Sequence, residues 1–504
     1  MPINYLNRIL NARVYEAARE TPLEVARGLC VRMDNNILIK REDLQPVFSF
    51  KIRGAHNKLA QLTADEKRRG VIAASAGNHA QGVALAAKKL NIPATIIMPQ
   101  TTPTIKVEAV GNWSAKVILH GDDYQEAYTK SLEISKAKSL TYIHPFDDPD
   151  VIAGQGTVAM EILRQCKDDI DMIFVPVGGG GLISGIAAYI KAVRPNIKII
   201  GVEPEDAASM TRSLIENRRV TLNEVGIFTD GCAVRQVGKE TFRLARQLVD
   251  GMITATVDEI CAAIKDIFED TRVIAEPAGA LSIAGMKNYI IQNKCKGKTL
   301  VAINCGANIN FDRLRHISER AEIGEKRESL FSVSIPEKPG SFRRFCKILG
   351  KSSITEFNYR FADETEAKIF VGVKLTGAQK EKSLLMESFN QGGFPATDIS
   401  DNDIAKLHIR HMVGGRPQNL VDEEVYRFQF PEKPGALLNF LNHLGERWNI
   451  SLFHYRNHGS AYGRVLCGIQ VPRAERQKFK GFLGKLNYPY WPESQNAVYK
   501  TFLR

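Results

Sequence analysis

Lys51 lies in the run Ser49-Phe50-Lys51-Ile52-Arg53-Gly54-Ala55, and about 130 residues later the chain reads Gly178-Gly179-Gly180-Gly181-Leu182-Ile183-Ser184-Gly185. A lysine amine condenses with an aldehyde to a Schiff base, and a glycine run at the start of a helix wraps a phosphate with backbone N–H groups. Pyridoxal phosphate carries both groups and is an electron sink for carbanion chemistry at an amino acid's α-carbon. Alone, Lys51 would read as a solvated surface cation. Four consecutive glycines change that reading, because each costs chain entropy and needs a reason such as close backbone approach to a ligand.

A second run, Ser75-Ala76-Gly77-Asn78-His79-Ala80-Gln81-Gly82, follows the apolar stretch 71–74 and opens a helical one. Successive N–H groups at such a start, with the Ser75 hydroxyl, suit a substrate carboxylate. The plainer alternative is a serine N-cap followed by a turn. Two further residues invite chemistry: Cys305 in Ile303-Asn304-Cys305-Gly306, otherwise a small buried thiol, and Glu203 in Gly201-Val202-Glu203-Pro204.

These residues need a scaffold, and the stretch from 71 to about 320 supplies one. Short β-rich runs at 71–74, 94–98, 116–119, 172–177, 198–203 and 299–303 alternate with helical stretches such as 76–90, 124–138 and 182–193. Strands buried on both faces and joined by helix-length crossovers indicate parallel sheets in an α/β domain, whose ligands gather at the carboxyl ends of the strands. The glycine-rich turns fall at those ends.

A chain of 504 residues exceeds one ordinary core, so two or three domains are expected. No run of apolar residues is long enough to span a membrane, and residues 1–12 lack the pattern of a secretory signal. Eight cysteines without a Cys-x-x-Cys pair suit reduced thiols, so a cytoplasmic protein without membrane contact is expected. The net charge of +12 is dispersed among acids without an aromatic basic stripe, which argues against a nucleic-acid partner; an anionic substrate and a phosphate attract a basic protein equally well.

Beyond about residue 322 the pattern changes. Phe331-Ser332-Val333-Ser334-Ile335-Pro336-Glu337-Lys338-Pro339-Gly340 returns as Tyr426-Arg427-Phe428-Gln429-Phe430-Pro431-Glu432-Lys433-Pro434-Gly435. Each copy continues with a helical run and a strand ending in Asn358-Tyr359-Arg360 or His454-Tyr455-Arg456, which reads as a duplicated small βαβ unit. The expected division is a catalytic domain at 1–322, a linker at 323–330 and two modules at 331–410 and 424–504.

Taken together, the lysine run, the Ser75–Gly82 run, the tetraglycine and the duplicated tail resemble the biosynthetic threonine deaminases, pyridoxal-phosphate enzymes of fold type II. The resemblance covers nearly the whole chain. It implies two open parallel-sheet α/β lobes followed by ACT-like regulatory modules. It implies Schiff-base and α-proton-base roles for Lys51 and a cofactor shell of Phe50, Lys51, Asn78, Gly178, Gly179, Gly180, Gly181, Leu182 and Cys305. Within that shell Asn78 would reach the ring hydroxyl and Cys305 the pyridine nitrogen. Ser75, Ala76, Gly77, Asn78 and His79 would hold the substrate carboxylate, with no catalytic role for the His79 ring. At Glu203 some relatives ligate a cation; here Ala207-Ala208-Ser209 replaces a second carboxylate, which leaves a monovalent cation or a purely structural role and no divalent metal. The implied reaction is β-elimination from L-threonine to 2-oxobutanoate and ammonia, with L-serine a secondary substrate. Isoleucine and valine are the implied effectors, acting through Tyr359 and Tyr455, in a homotetramer. Serine dehydratase, serine racemase, threonine synthase and cysteine synthase share the fold. An amino-acid-sensing scaffold without catalysis is the alternative from another class.

Overall fold

The computed structural model describes residues 3–503 apart from 227, 326, 351, 362–364, 376–377, 403–404, 407–408, 412–416, 418–419, 432–435, 446, 457–461, 487, 497–498 and 501–502. The turn 432–435 of the second tail repeat and Lys326 of the expected linker therefore lie outside the described residues. The chain divides into two compact units, Met1–Ala321 and Glu322–Arg504.

The first unit holds two sheets. The larger orders its strands Leu23–Val25, Asn36–Arg41, Thr299–Asn304, Met172–Pro176, Lys198–Pro204 and Gly251–Ala255; only the first pair is antiparallel. The smaller, Lys116–Leu119, Ala94–Met98, Val71–Ala74 and Thr141–Tyr142, is parallel throughout. Each sheet has its own apolar core: Ile173, Phe174, Ile199, Leu281 and Val301 in one, Val71, Ala73, Val83, Ile96 and Met98 in the other. Strand Asn36–Arg41 escapes a sequence pattern because it ends on Lys40 and Arg41, yet both are buried and paired with carboxylates.

Three helices of this unit meet backbone to backbone. Lys51–Gln61 crosses Pro149–Gln165 where Gly54 faces Gly154, and Gly181–Val193 crosses it where Gly185 faces Gly156. A Cβ on Gly154 would lie 2.6 Å from the Arg53 carbonyl oxygen and 2.7 Å from Gly54 Cα, and one on Gly185 would lie 2.6 Å from the Gly156 nitrogen. Helix Pro149–Gln165 is thus the common seat of the helix that begins at Lys51 and the helix that begins at the last glycine of the tetraglycine run. Asp148 fixes where that seat starts, its carboxylate accepting from the Asp150 and Val151 N–H groups ahead of Pro149.

The second unit is one eight-stranded antiparallel sheet with a duplicated order. Ala396–Asp398, Glu328–Pro336, Glu366–Lys374 and Ser353–Arg360 form one half; Asn449–Arg456, Tyr462–Gln470, Glu423–Pro431 and Tyr490–Pro492 form the other in reverse. The halves join where Phe357 pairs with Tyr455 and Tyr359 with Phe453. This corrects the repeat expected from sequence: each copy is not a βαβ unit but a longer one. The first copy runs strand, helix Ser341–Leu349, two strands, helix Ala378–Gln391 and strand. The missing half was hidden because Ile369 to Val373 is buried on both sides and does not alternate.

Gly154→Ala forces a methyl group against a neighbouring backbone that has no rotamer to yield. It is expected to lower the stability of the full chain by about 1–3 kcal/mol. Gly111→Ala, at a glycine with nothing within 4 Å of its Cβ position, serves as the neutral control in the same thermal unfolding experiment.

Candidate active site

Phe50 is buried in the core and precedes helix Lys51–Gln61, and its N–H donates to the Cys305 carbonyl at 3.3 Å. An isolated bridge between Ser49 and Gly306 makes the same connection, so Lys51 is held beside the end of strand Thr299–Asn304. Two residues further along the helix, the Arg53 guanidinium is fully buried. It donates to both oxygens of Glu42 at 2.7 Å and to Glu161 at 2.6 and 2.9 Å. Lys40 completes a balanced group of two cations and two carboxylates, 2.7 Å from Glu161. Burial alone would raise the Glu161 pKa, but Arg53 and Lys40 outweigh it and hold the carboxylate ionised. Removing one member would strand a buried charge, which typically costs about 3–5 kcal/mol. The network therefore pins the helix that carries Lys51.

The Lys51 side chain still meets solvent in part, but its amine is enclosed and donates to the Pro145 carbonyl at 3.0 Å. Burial lowers its pKa, against smaller opposing effects from Cys232, Cys305 and Glu276. Next to Pro145, Phe146 packs on the tetraglycine: a Cβ on Gly179 would enter its ring, and one on Gly181 would lie 3.1 Å from its Cα. The Gly179 carbonyl turns away to accept from Thr241 Oγ1 at 2.7 Å, and Gly180 takes a left-handed φ of 94°. The N–H groups of Gly178, Gly179, Gly180, Gly181 and Leu182 donate to nothing among the described residues. That leaves a cradle of donors at the N-terminus of helix Gly181–Val193.

Opposite, strand Val71–Ala74 is followed by Ser75, and helix Asn78–Lys89 begins three residues after that serine. The Ser75 hydroxyl accepts from the Gly77 N–H at 3.2 Å. The N–H groups of Ala76, Asn78 and His79 have no acceptor among the described residues, and this loop is half-buried up to Asn78. His79 packs: its Nε2–H donates to the Ile143 carbonyl at 2.9 Å, and burial, with Lys51 second, pushes its pKa down to about 3. A Cβ on Gly82 would lie 3.1 Å from the Lys51 carbonyl carbon, so this helix is seated directly on the lysine.

Cys305 is buried, and its thiol donates to the Ala278 carbonyl at 3.2 Å. Burial above all raises its pKa, so it stays a thiol. An enclosed amine, two sets of free amides at helix starts and a thiol thus surround one space. They fit pyridoxal phosphate: the amine suits its aldehyde, and the Gly178–Leu182 amides suit its phosphate. Glu203 is placed otherwise. Its oxygens accept from the Met210 N–H at 2.8 Å, the Thr211 N–H at 2.8 Å and the Thr211 hydroxyl at 2.6 Å, which closes the start of helix Ser209–Ile215. Among the described residues no group of three or more His, Cys, Asp or Glu side chains could hold a metal.

Several residues of the site were not singled out from sequence. Pro145 and Phe146 close over Lys51 and the glycines. Cys232, whose Cα would lie 3.0 Å from a Cβ on Gly178, backs the same loop. Glu276 and Asn308 flank Asn78 at 2.6 Å each. Tyr359 and Tyr455 belong to the second unit. Tyr359 is buried with its hydroxyl donating to Glu337 at 2.6 Å, and Tyr455 is half-buried.

Residues 14–306 match the family of pyridoxal-phosphate dependent enzymes, and residues 319–409 and 414–503 each match the C-terminal regulatory domain of threonine dehydratase. The biosynthetic L-threonine dehydratase IlvA of Burkholderia multivorans is 53% identical over 503 residues, covering 99% of both chains. That of Escherichia coli strain K12 is 51% identical, covering 99% of this chain and 97% of its own. The chain belongs to the biosynthetic threonine dehydratases. Among solved structures, the processed form of threonine deaminase isoform 2 from Solanum lycopersicum matches with a TM-score of 0.62 and 52% identity, covering 63% of this chain and 88% of that one. Maize serine racemase matches at 0.59 and 32% identity, covering 62% and 95%. The fold is therefore the type II pyridoxal-phosphate fold followed by regulatory domains, and pyridoxal phosphate is the cofactor of this dehydratase family.

Burial raises the Glu203 pKa from 4.5 to about 7, against three hydrogen bonds that lower it. A carboxyl whose folded pKa is raised contributes stability that is complete below pH 4.5 and lost as pH climbs through about 7. Glu203→Gln carries no such proton. Its stability relative to wild type, from urea unfolding, is expected to rise by on the order of 2 kcal/mol between about pH 5 and pH 8. A flat difference across that range would contradict the placement of Glu203.

Proposed function

We propose that Lys51 holds the cofactor aldehyde and then serves as the α-proton base when L-threonine is converted to 2-oxobutanoate and ammonia. The conversion itself is the activity of the family, and this chain is a pyridoxal-phosphate-dependent threonine dehydratase, a lyase of amino-acid biosynthesis. Bound pyridoxal phosphate supplies a sink for the electrons left when the α-proton departs. Every other task falls to the chain. The Gly178–Leu182 amides hold the phosphate, and the Ala76, Asn78 and His79 amides orient the substrate carboxylate. The Lys51 amine, neutral at lower pH than an exposed lysine because it is buried, takes the α-proton. The β-hydroxyl then takes that proton back from Lys51 and leaves as water, and the released enamine tautomerises and is hydrolysed by water to 2-oxobutanoate and ammonia. Cys305 would offer the pyridine nitrogen a thiol, which cannot protonate it as a carboxylic acid would.

The observation that carries this reading is the enclosure of one lysine amine between two loops whose amides are unspent. An apolar pocket rejects one missing methyl only about 10–200-fold, so L-serine is a secondary substrate. The eight free thiols support a reducing compartment such as the cytoplasm. From the family resemblance alone we infer a homotetramer as the working assembly. Among the described residues no helix is long and apolar enough to cross a membrane.

Isoleucine inhibits and valine opposes it through the second unit, in this reading. Helices Ser341–Leu349 and Ala436–Leu444 of the two repeats border a cleft lined by the basic residues Lys338 and Arg343 together with the apolar Phe342, Leu441, Leu444 and Trp448. Glu337 connects its rim to Tyr359 and, at 2.8 Å, to Asn449. A small amphiphilic amino acid suits such a lining.

Two assays test the proposal. Lys51→Ala should lose about 10³-fold or more of its 2-oxobutanoate production from threonine; full turnover would remove Lys51 from the chemistry. Tyr359→Phe deletes only the hydroxyl and should raise the isoleucine concentration for half-inhibition about tenfold. An unchanged value would place the effector elsewhere.

A further inference from the structure

Glu276 is a buried carboxyl beside the site that none of the steps above uses. It precedes Pro277 at the start of helix Pro277–Asn293 but does not cap that helix with its side chain. Its N–H donates to the Gly306 carbonyl at 3.1 Å, and its side chain turns inward, 4% exposed. There Glu276 Oε1 accepts from Asn78 Nδ2 at 2.6 Å. On its other side, Asn78 Oδ1 accepts from Asn308 Nδ2 at 2.6 Å, and the same nitrogen of Asn308 donates to the Val47 carbonyl at 2.8 Å.

This chain of contacts leaves the Asn78 carboxamide one orientation. Its oxygen must face a nitrogen that is donor only, and its nitrogen must face a carboxyl. One N–H of Asn78 is spent on Glu276; the other has no acceptor among the described residues. The backbone makes room for the carboxyl, because a Cβ on Gly306 would fall on Glu276 Oε1. Gly306 directly follows Cys305, so the same strand end that presents the thiol accommodates Glu276.

We propose that Glu276 is a positioning residue: it holds the Asn78 carboxamide so that its second N–H points at the ring oxygen of pyridoxal phosphate, and its proton state sets the charge behind that contact. The proposal rests on the reading of Asn78 as the ring-oxygen partner. The groups that face Glu276 are Asp230, Lys106, Lys51 and the thiols of Cys232 and Cys305. Burial first and Asp230 second push its pKa up to about 7, while Asn78 and Lys106 pull it down. It therefore changes charge near neutrality. Once ionised, it places a negative charge in a poorly screened interior and favours a proton on the nearby Lys51 nitrogen.

The test uses the full-chain holoenzyme and reads the visible absorbance band as pH is raised from about 6 to about 10, a measure of the proton on the Lys51 nitrogen that is independent of turnover. Glu276→Gln keeps the shape and can still accept from Asn78 but carries no charge. Its band is expected to titrate about 0.5–1 pH unit lower than wild type. Asn78→Ala is expected to weaken cofactor affinity about tenfold, and Glu276→Ala to do so comparably, with the Asn78→Ala/Glu276→Ala double variant no weaker than Asn78→Ala alone. An unchanged titration in Glu276→Gln, or losses that add in the double variant, would overturn the role of Glu276. If Asn78→Ala alone leaves both the band and the affinity unchanged, the reading of Asn78 fails and the proposal falls with it.

Discussion

The catalytic unit depends on two places where backbones touch without side chains between them. Gly54 against Gly154 and Gly185 against Gly156 let helices Lys51–Gln61 and Gly181–Val193 share helix Pro149–Gln165 as a common seat. Because these contacts are between main chains, they define the separation of the start of the lysine helix from the glycine loop without depending on the rotamers of packed side chains. Side-chain packing of ordinary depth would hold the same helices farther apart and with more freedom. Arg53 adds direction: its fork to Glu42 and Glu161 ties the lysine helix to the turn Glu42–Leu44 that follows strand Asn36–Arg41 and to helix Pro149–Gln165 at once.

Charge is handled differently in the two halves of this arrangement. Behind Lys51, two buried cations and two carboxylates balance one another, and Arg53 and Lys40 hold Glu161 ionised against its burial. At the site itself burial is the largest influence: it lowers the Lys51 amine against smaller opposing effects, raises the Cys305 thiol, and leaves His79 an uncharged packing residue. Such a space leaves the backbone amides as the main source of positive potential for a phosphate and a carboxylate. The second unit has its own apolar core, in which Phe331, Phe345, Phe357, Phe428, Phe440 and Phe453 gather around the duplicated sheet. Where its two repeats meet, Glu337 and Tyr359 from one and Asn449 from the other form a single polar chain.

What was legible in the sequence was whatever repeats locally or carries a cost. Four glycines in a row demand a reason, and strands such as Met172–Pro176 and Thr299–Asn304 are apolar throughout because both faces are covered. Lys51 was legible only beside the glycines and the Ser75–Gly82 run. Asn36–Arg41 was not, since its buried charges are satisfied by Asp43 and Glu161, partners a linear pattern does not show. Glu276 reads as an ordinary helix start before proline. Its role comes from Asn78 and Asn308, 198 residues before it and 32 after, which only the fold brings together. Pro145 and Phe146 gave no sign either, because a backbone acceptor and a ring against glycine are properties of position, not of residue type.

The central claim is that Lys51, and no other lysine, carries the cofactor aldehyde. Reducing the holoenzyme with borohydride fixes the cofactor to whichever amine holds it, and peptide mapping by mass spectrometry then locates the label. The account requires the pyridoxyl mass on the peptide containing Ser49-Phe50-Lys51; its appearance on any other lysine, with that peptide unlabelled, would contradict it.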